Sequence, residues 1–359
     1  MKNIVIVGAG KIGSMIAEML LQSGDYGVTV IDRAQAQLDK LDPSLSARRV
    51  AVDISDGAKL RDVLKGQYAV LSAAPYSATR QIAEAAKAAS VNYLDLTEDV
   101  ASTRAVKQLA AGAKTAFIPQ CGLAPGFITI VASDLMSRFD TLQDVRMRVG
   151  ALPKYPSNAL NYNLTWSTDG VINEYCEPCE AIVNGQQRET LPLEEREEFS
   201  LDGVLYEAFN TSGGLGSLCE TLAGKVQNLN YRTIRYPGHA AIMKALLNDL
   251  RLRDRRDLLK DILENAVPVT MQDVVIIFVT VTGMRAGQLV QETYANKIYA
   301  APLGGRIHSA IQITTASGIC TVLDMLSAGD LPQSGLIKQE EIPLKAFLAN
   351  RFGKRYAMA

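Results

Sequence analysis

Near the start of the chain, Gly8-Ala9-Gly10-Lys11-Ile12-Gly13 spaces its glycines for one kind of chemistry. In a G-x-G-x-x-G string the first glycine permits a tight turn and the second lets main chain approach a pyrophosphate. The third brings a helix close to a sheet. An apolar run over 4–7 precedes the string and an amphipathic stretch over 12–22 follows it. Helix N–H groups around Lys11, Ile12 and Gly13 would then point at the phosphates with partial positive charge behind them. Asp32 ends the next apolar run, about twenty residues on, where a carboxylate accepts from both hydroxyls of the adenosine ribose. A carboxylate there repels a 2′-phosphate, so the expected cofactor is NAD. The guanidinium of Arg33 is the opposing signal, because it suits that phosphate. Asp53 and Ile54 close the third run and are expected to border the adenine; Asp53 is equally suited to capping the helix near Gly57. Ala74, Pro75 and Tyr76 follow the fourth run, beside the expected nicotinamide ribose, and Tyr76 also suits simple packing.

These residues need a frame that brings the ends of separate strands to one edge. Apolar, β-rich runs occur over 3–7, 27–32, 48–52, 68–72, 92–96 and 115–119, separated by helix-like stretches over 12–22, 59–65, 80–90 and 101–113. Such alternation predicts an α/β fold, a doubly wound parallel Rossmann sheet with right-handed crossovers. The rhythm breaks at Gly122-Leu123-Ala124-Pro125-Gly126. Beyond it the pattern predicts an α+β substrate domain with a mostly antiparallel sheet. Its signals are a strand over 145–149, a hairpin over 181–189 turning at Asn184-Gly185, and long strands over 274–282 and 289–299. A helix pair is expected over 240–250 and 257–264, and the charged run 194–198 reads as a solvated surface segment. The helix expected over 311–327 has a small-residue face of Thr314, Ala316, Ser317 and Gly318, suited to close packing. The dinucleotide domain is therefore expected to be discontinuous, residues 1–122 and about 305–359, around a substrate and dimerisation domain of about 123–304.

Composition narrows the partners. The 359 residues are 48% hydrophobic and 21% charged, with a net charge of -1, which suits a globular enzyme and supplies no basic excess for nucleic acid or anionic lipid. The longest apolar run, 274–281, is far shorter than a bilayer span, and no leader pattern opens the sequence. A cytoplasmic protein without nucleic-acid or membrane partners is expected, assembled as a homodimer or higher homo-oligomer. Five cysteines, an odd number, argue against a disulfide framework. Cys176 and Cys179 form a CxxC, but a zinc site needs about four ligands and the chain has only two histidines. No metal is expected.

Four later segments are less generic. They are Gly122–Gly126, then Trp166-Ser167-Thr168-Asp169-Gly170-Val171, then Glu207-Ala208-Phe209-Asn210-Thr211-Ser212-Gly213-Gly214, and Arg232-Thr233-Ile234-Arg235-Tyr236-Pro237-Gly238-His239. In this order, after a Rossmann start, they resemble the saccharopine dehydrogenase-like family, most closely its lysine 6-dehydrogenases. That resemblance covers nearly the whole chain. It implies NAD-linked oxidation of the lysine ε-amine to 2-aminoadipate 6-semialdehyde, which cyclises, with release of ammonia.

For an amino-acid substrate, arginine is the best carboxylate partner because its planar fork meets both oxygens. Arg235, just before Pro237-Gly238, is the first choice; a strand-end surface arginine is the plain alternative. Asn210, Thr211 and Ser212 offer short polar groups for the α-amino or carboxyl group, or form an ordinary loop. Hydride leaves a carbon that bears a neutral amine, and a free lysine amine has a pKa of about 10.4, so a proton acceptor is needed. His239 titrates in a useful range. Glu98 and Asp99 follow the fifth strand on the cofactor side. Each has a bland reading too, His239 as a cap of the next helix and the acids as favourable charges at a helix N-terminus. Three rival functions share these features: a saccharopine or carboxyalkyl-polyamine dehydrogenase of the same fold, a nicotinamide-binding sensor without catalysis, and a dihydrodipicolinate reductase-like enzyme.

Overall fold

A computed structural model describes residues 1–357; the last residues of the expected C-terminal segment, 358 and 359, lie outside the described residues. The chain divides into two compact units, one of Met1–Phe127 with Gln312–Ala357 and one built on Ile128–Ile311.

In the first unit, strands β1 (Lys2–Val7), β2 (Tyr26–Asp32), β3 (Arg48–Ala51), β4 (Ala69–Ser72), β5 (Asn92–Asp95) and β6 (Ala116–Ile118) alternate with helices α1 (Lys11–Ser23), α2 (Gln35–Asp39), α3 (Gly57–Leu64), α4 (Thr79–Ala89) and α5 (Val100–Ala110). All pair in parallel in the spatial order β6-β5-β4-β1-β2-β3, the doubly wound arrangement. The order reverses between β1 and β4, so the ligand edge is the row of carboxyl ends around that point. Val5, Val7, Ile31, Val70 and Phe117 form one apolar core with Ile82, Ala86 and Val106 from α4 and α5.

In the second unit, α6 (Phe127–Met136) leads into β7 (Thr141–Pro153), which is followed by α7 (Thr168–Cys176), β8 (Cys179–Val183), β9 (Gln186–Thr190), β10 (Glu197–Leu201), β11 (Val204–Asn210), α8 (Leu218–Thr221), β12 (Asn228–Arg235), α9 (His239–Lys244), α10 (Arg256–Ala266), β13 (Asp273–Arg285) and β14 (Gln288–Tyr299). The sheet order is β10-β11-β12-β7-β13-β14, with the β8–β9 hairpin attached to β12; β12 and β7 run parallel and the other pairings are antiparallel. The hairpin turns at Asn184 and Gly185, both at positive φ, as two-residue turns require. The charged run 194–198 is largely exposed, as expected; its half-buried member is Glu197, the first residue of β10, which accepts from Arg148 Nε at 2.6 Å and pairs with Arg232 at 3.1 Å. A short ribbon, β15 (Ala301–Leu303) and β16 (Arg306–His308), ends this part of the chain.

Helix α11 (Ala310–Ala328) follows, and the chain then contributes a seventh parallel strand, β17 (Gly335–Leu336), beside β6, and helix α12 (Leu344–Ala349). The small-residue face of α11 packs as its composition required: a Cβ on Gly318 would lie 2.5 Å from the Cys121 carbonyl oxygen. Helix α11 is long and apolar enough to span a bilayer, yet Ile319, Val322, Leu323 and Leu326 are fully buried, the pattern of a core helix.

Candidate active site

The glycine string does what its spacing demands. Gly8 sits at φ +103°, where a side chain would be strained and would strike the Ala73 carbonyl at 2.8 Å. A Cβ on Gly13 would lie 1.9 Å from the Gly8 carbonyl oxygen, so only glycine lets α1 start this close to the turn. Gly10 is different, since nothing lies within 4 Å of where its Cβ would be. It is the N-cap of α1 and makes no side-chain cap, so the first N–H groups of the helix meet an open, uncrowded cradle. Lys11 is exposed and Ile12 half-buried at its rim. Asp32 completes the arrangement. Its two carboxylate oxygens accept from Ala9 N and Ala34 N, each at 2.9 Å, which holds the group beside the turn with lone pairs to spare. These residues fit a nicotinamide dinucleotide.

The neighbouring candidates divide. Arg33 is exposed, beside the exposed Asp53. Asp53 Oδ1 accepts from both the main-chain N–H and the hydroxyl of Ser55, so it builds the turn after β3, while Asp56 is the side chain that caps α3. Ile54 packs on the first unit's core. Ala74 and Pro75 follow β4 at the switch point, and Tyr76, half-buried, opens a 3-10 turn whose carbonyl accepts from Ser102 Oγ.

Past β5 the two acids take separate roles. Asp99 is the N-cap of α5, its Oδ1 accepting from Ser102 N at 2.7 Å, so the capping role describes it. Glu98 makes no such bond to a helix, and burial, with the Asp99 and Asp95 carboxylates nearby, pushes its carboxyl up to about 7. Beneath it lies an acid that sequence reasoning passed over. Asp95 is buried and accepts from Tyr93 OH at 2.8 Å, Gln120 N at 2.8 Å and Thr97 N at 3.1 Å, tying β5 to the segment after β6. Burial raises its carboxyl to about 6 against those hydrogen bonds.

In the second unit, three of the segments singled out in the sequence build the surroundings of β12, with Glu207 and Arg235 paired across β11 and β12 on one face. Ser167 caps α7, and Trp166 lies against Gly170, where a Cβ would come within 2.3 Å of the indole. Helix α7 thereby presents Tyr175 to Arg235. Arg235 is 2% exposed; its Nε donates to Tyr175 OH at 2.9 Å and its Nη1 to the Ile234 carbonyl at 2.8 Å, and its guanidinium lies 4.9 Å from the centre of the Tyr162 ring. Both hydrogen-bond partners are neutral. Burial disfavours the guanidinium charge, but Tyr175, Tyr162 and Glu174 outweigh it and hold the group firmly charged. His239 opens α9, with Nε2 3.0 Å from Tyr175 OH and Nδ1 2.8 Å from the Leu160 carbonyl. Burial and the Arg235 charge lower its imidazole to about 3. Both ring nitrogens are thus engaged inside the unit and the ring is neutral, which departs from the direct proton acceptor expected of His239. The cap of α9 is instead Glu207, whose carboxylate accepts from Gly238 N and Ala240 N.

Strand alternation sorts the polar trio after β11. Glu207 pairs with Arg235 and Phe209 with Thr233, so these side chains share one face, while Asn210 pairs with Arg232 on the opposite face. There Asn210 accepts from Arg232 and donates toward Thr190 Oγ1, away from Arg235. Ser212 Oγ donates to the Pro178 carbonyl at 2.9 Å, tying the segment after β11 to the turn between α7 and β8. Thr211 is the member whose hydroxyl is buried without a hydrogen-bond partner; Tyr162 OH and Thr165 Oγ1 share that condition. Tyr162 and Tyr175 carried no sequence signal of their own, since nothing in their spacing links them to an arginine 60 or more residues away.

Comparison with known proteins adds a lineage. The family model described as the saccharopine dehydrogenase NADP binding domain matches residues 4–118, and that of the saccharopine dehydrogenase C-terminal domain matches residues 122–355. Mitochondrial alpha-aminoadipic semialdehyde synthase of Bos taurus is 23% identical over 192 residues, 52% of this chain and 21% of that protein. Saccharopine dehydrogenase (NADP+, L-glutamate-forming) of Saccharomyces cerevisiae is 22% identical over 183 residues, 48% of this chain and 40% of that protein. The matched stretch thus spans less than half the length of either relative. The solved structure of the apo histidine-tagged saccharopine dehydrogenase (L-Glu forming) from Saccharomyces cerevisiae aligns with a TM-score of 0.79 at 16% identity, covering 97% of each chain. That likeness establishes the shared fold.

Proposed function

We propose that this chain, which belongs to the saccharopine dehydrogenase family, oxidises the terminal amine of L-lysine to 2-aminoadipate 6-semialdehyde with NAD and releases ammonia. The observation that carries the reading is Arg235, a buried guanidinium whose hydrogen bonds go to a phenol and a main-chain carbonyl, leaving its charge for a ligand carboxylate. Thr211, Thr165 and Tyr162 supply buried hydroxyls for the rest of an amino-acid head group.

The bound nicotinamide supplies the hydride acceptor. On the protein side, Gly8, Gly10 and Gly13 admit the pyrophosphate and Asp32 holds the adenosine ribose. Glu98, whose carboxylate forms near neutrality, takes the proton from the substrate ammonium, so that the neutral amine's lone pair forms C=N as the hydride leaves the carbon. Water then adds to that C=N carbon and ammonia departs, giving the aldehyde.

A second reading is a saccharopine-type reaction with NADP. It is favoured by the yeast relative, a saccharopine dehydrogenase (NADP+, L-glutamate-forming), by the NADP binding domain family that the first unit matches, and by Arg33 next to Asp32. The test follows absorbance at the NADH band with lysine, ornithine, saccharopine and cadaverine, each with NAD and NADP. Lysine with NAD is expected to be fastest. Saccharopine turning over far faster than lysine would move the chain to the second reading.

A further inference from the structure

The hydrogen bonds around Arg235 have only one possible polarity. A guanidinium has no acceptor, so Tyr175 oxygen must accept from Arg235 Nε. The Tyr175 hydroxyl hydrogen is then free to donate to His239 Nε2, 3.0 Å away, which must be unprotonated to receive it. The imidazole proton therefore sits on Nδ1 and is donated to the Leu160 carbonyl, which can only accept. The chain runs Arg235 to Tyr175 to His239 to Leu160. The rings of Tyr162, Tyr175 and Phe209 surround the imidazole, and its centroid lies 5.3 Å from that of Tyr162.

Every link in this chain beyond Arg235 is neutral. A carboxylate in place of Tyr175 would hold the guanidinium equally well, but would neutralise it and repel a ligand carboxylate. A phenol fixes Nε without itself neutralising the charge. Of the five guanidinium N–H groups, Nε and one on Nη1 are used within the unit. The Nη2 pair and the second Nη1 hydrogen remain for an anion.

We propose that Tyr175 and His239 are positioning residues, which lock the Arg235 fork in the orientation that receives a carboxylate and so set the affinity for amino-acid substrates. The proposal rests on the reading of Arg235 as the carboxylate anchor. It assigns His239 a role through its tautomer, with no proton exchanged with substrate.

Four variants test it: Tyr175→Phe, His239→Leu, His239→Gln and Arg235→Ala. Each is assayed with lysine and with cadaverine, which lacks the carboxylate, and titrated calorimetrically with L-norleucine, which keeps the amino-acid head but has no terminal amine. Thermal unfolding reports whether each variant folds. Tyr175→Phe and His239→Leu are expected to raise KM for lysine and weaken norleucine roughly five- to twentyfold, less than full loss of a hydrogen bond to a charged group because the Arg235 charge itself remains. The loss falls on KM more than kcat and spares cadaverine. His239→Gln is expected to return norleucine affinity to within about threefold of wild type, because its amide offers one acceptor to Tyr175 and one donor to Leu160. Unchanged lysine KM and norleucine affinity in both Tyr175→Phe and His239→Leu would overturn the proposal, as would a His239→Gln as impaired as His239→Leu. If Arg235→Ala abolishes norleucine binding while the other variants keep it, only the positioning role falls. If Arg235→Ala binds norleucine normally, the carboxylate reading falls first.

Discussion

A single buried guanidinium and a single half-buried carboxylate carry most of the chemistry proposed here. Arg235→Ala removes a charge-assisted pair worth roughly 1.5–3 kcal/mol, so catalytic efficiency on lysine should fall about one to two decades. Cadaverine should lose much less; equal losses for both amines would show that Arg235 serves the fold or cofactor. Glu98 accepts a proton only as the carboxylate, and its raised pKa places that form above a pH of about 7. The rate constant for lysine oxidation should therefore climb with pH through that value, and Glu98→Gln should both depress turnover and erase that limb. A pH profile that survives the substitution would assign the acid limb to another group. Asp32→Ala should weaken NAD and relax discrimination against NADP, read from steady-state constants with each cofactor; a wild-type preference for NADP would reverse the assignment.

Among elements, the turn from β1 into α1 separates two kinds of glycine. Gly13→Ala forces a methyl onto the Gly8 carbonyl at 1.9 Å, so it should lower the melting temperature and lose cofactor together. Gly10→Ala meets open space, so the fold should keep its melting temperature within a degree or two while dinucleotide affinity drops roughly tenfold or more, the methyl occupying room meant for pyrophosphate. Calorimetric binding and thermal unfolding on the two variants separate these outcomes. The same turn explains why the cofactor side was legible in the linear chain. Gly8, Gly10, Gly13 and Asp32 lie within one β-α-β unit, so their spacing in sequence is nearly their spacing in space. Asn210 shows where such reasoning stops, because its face depends on pairing with Arg232 in another strand. Asp53 and Asp99 behaved as turn and cap acids, a choice made by whichever N–H groups lay nearest.

At the scale of the whole molecule, the chain after α11 completes the first unit's core. Tyr356 is fully buried, its ring centroid 3.9 Å from that of Phe127, and its hydroxyl donates to the Thr314 carbonyl at 2.6 Å. Tyr356→Ala should cost about 3–5 kcal/mol, read as a lower urea midpoint with lysine KM unchanged in the folded fraction. Strand β17, only two residues long, is too short to show any alternation, and its place beside β6 exists only because the folded chain brings it there. What the sequence determined by itself was local: the parallel α/β rhythm, the dinucleotide turn, the hairpin at Asn184-Gly185 and the close-packing face of α11. Those follow from periods and spacings within a few dozen residues. The tertiary structure decided that Arg235 is held by a phenol, that His239 is a neutral link and Glu98 a carboxyl raised toward neutrality. Burial and hydrogen-bond partnership are set by residues distant in the chain, and no local spacing encodes them.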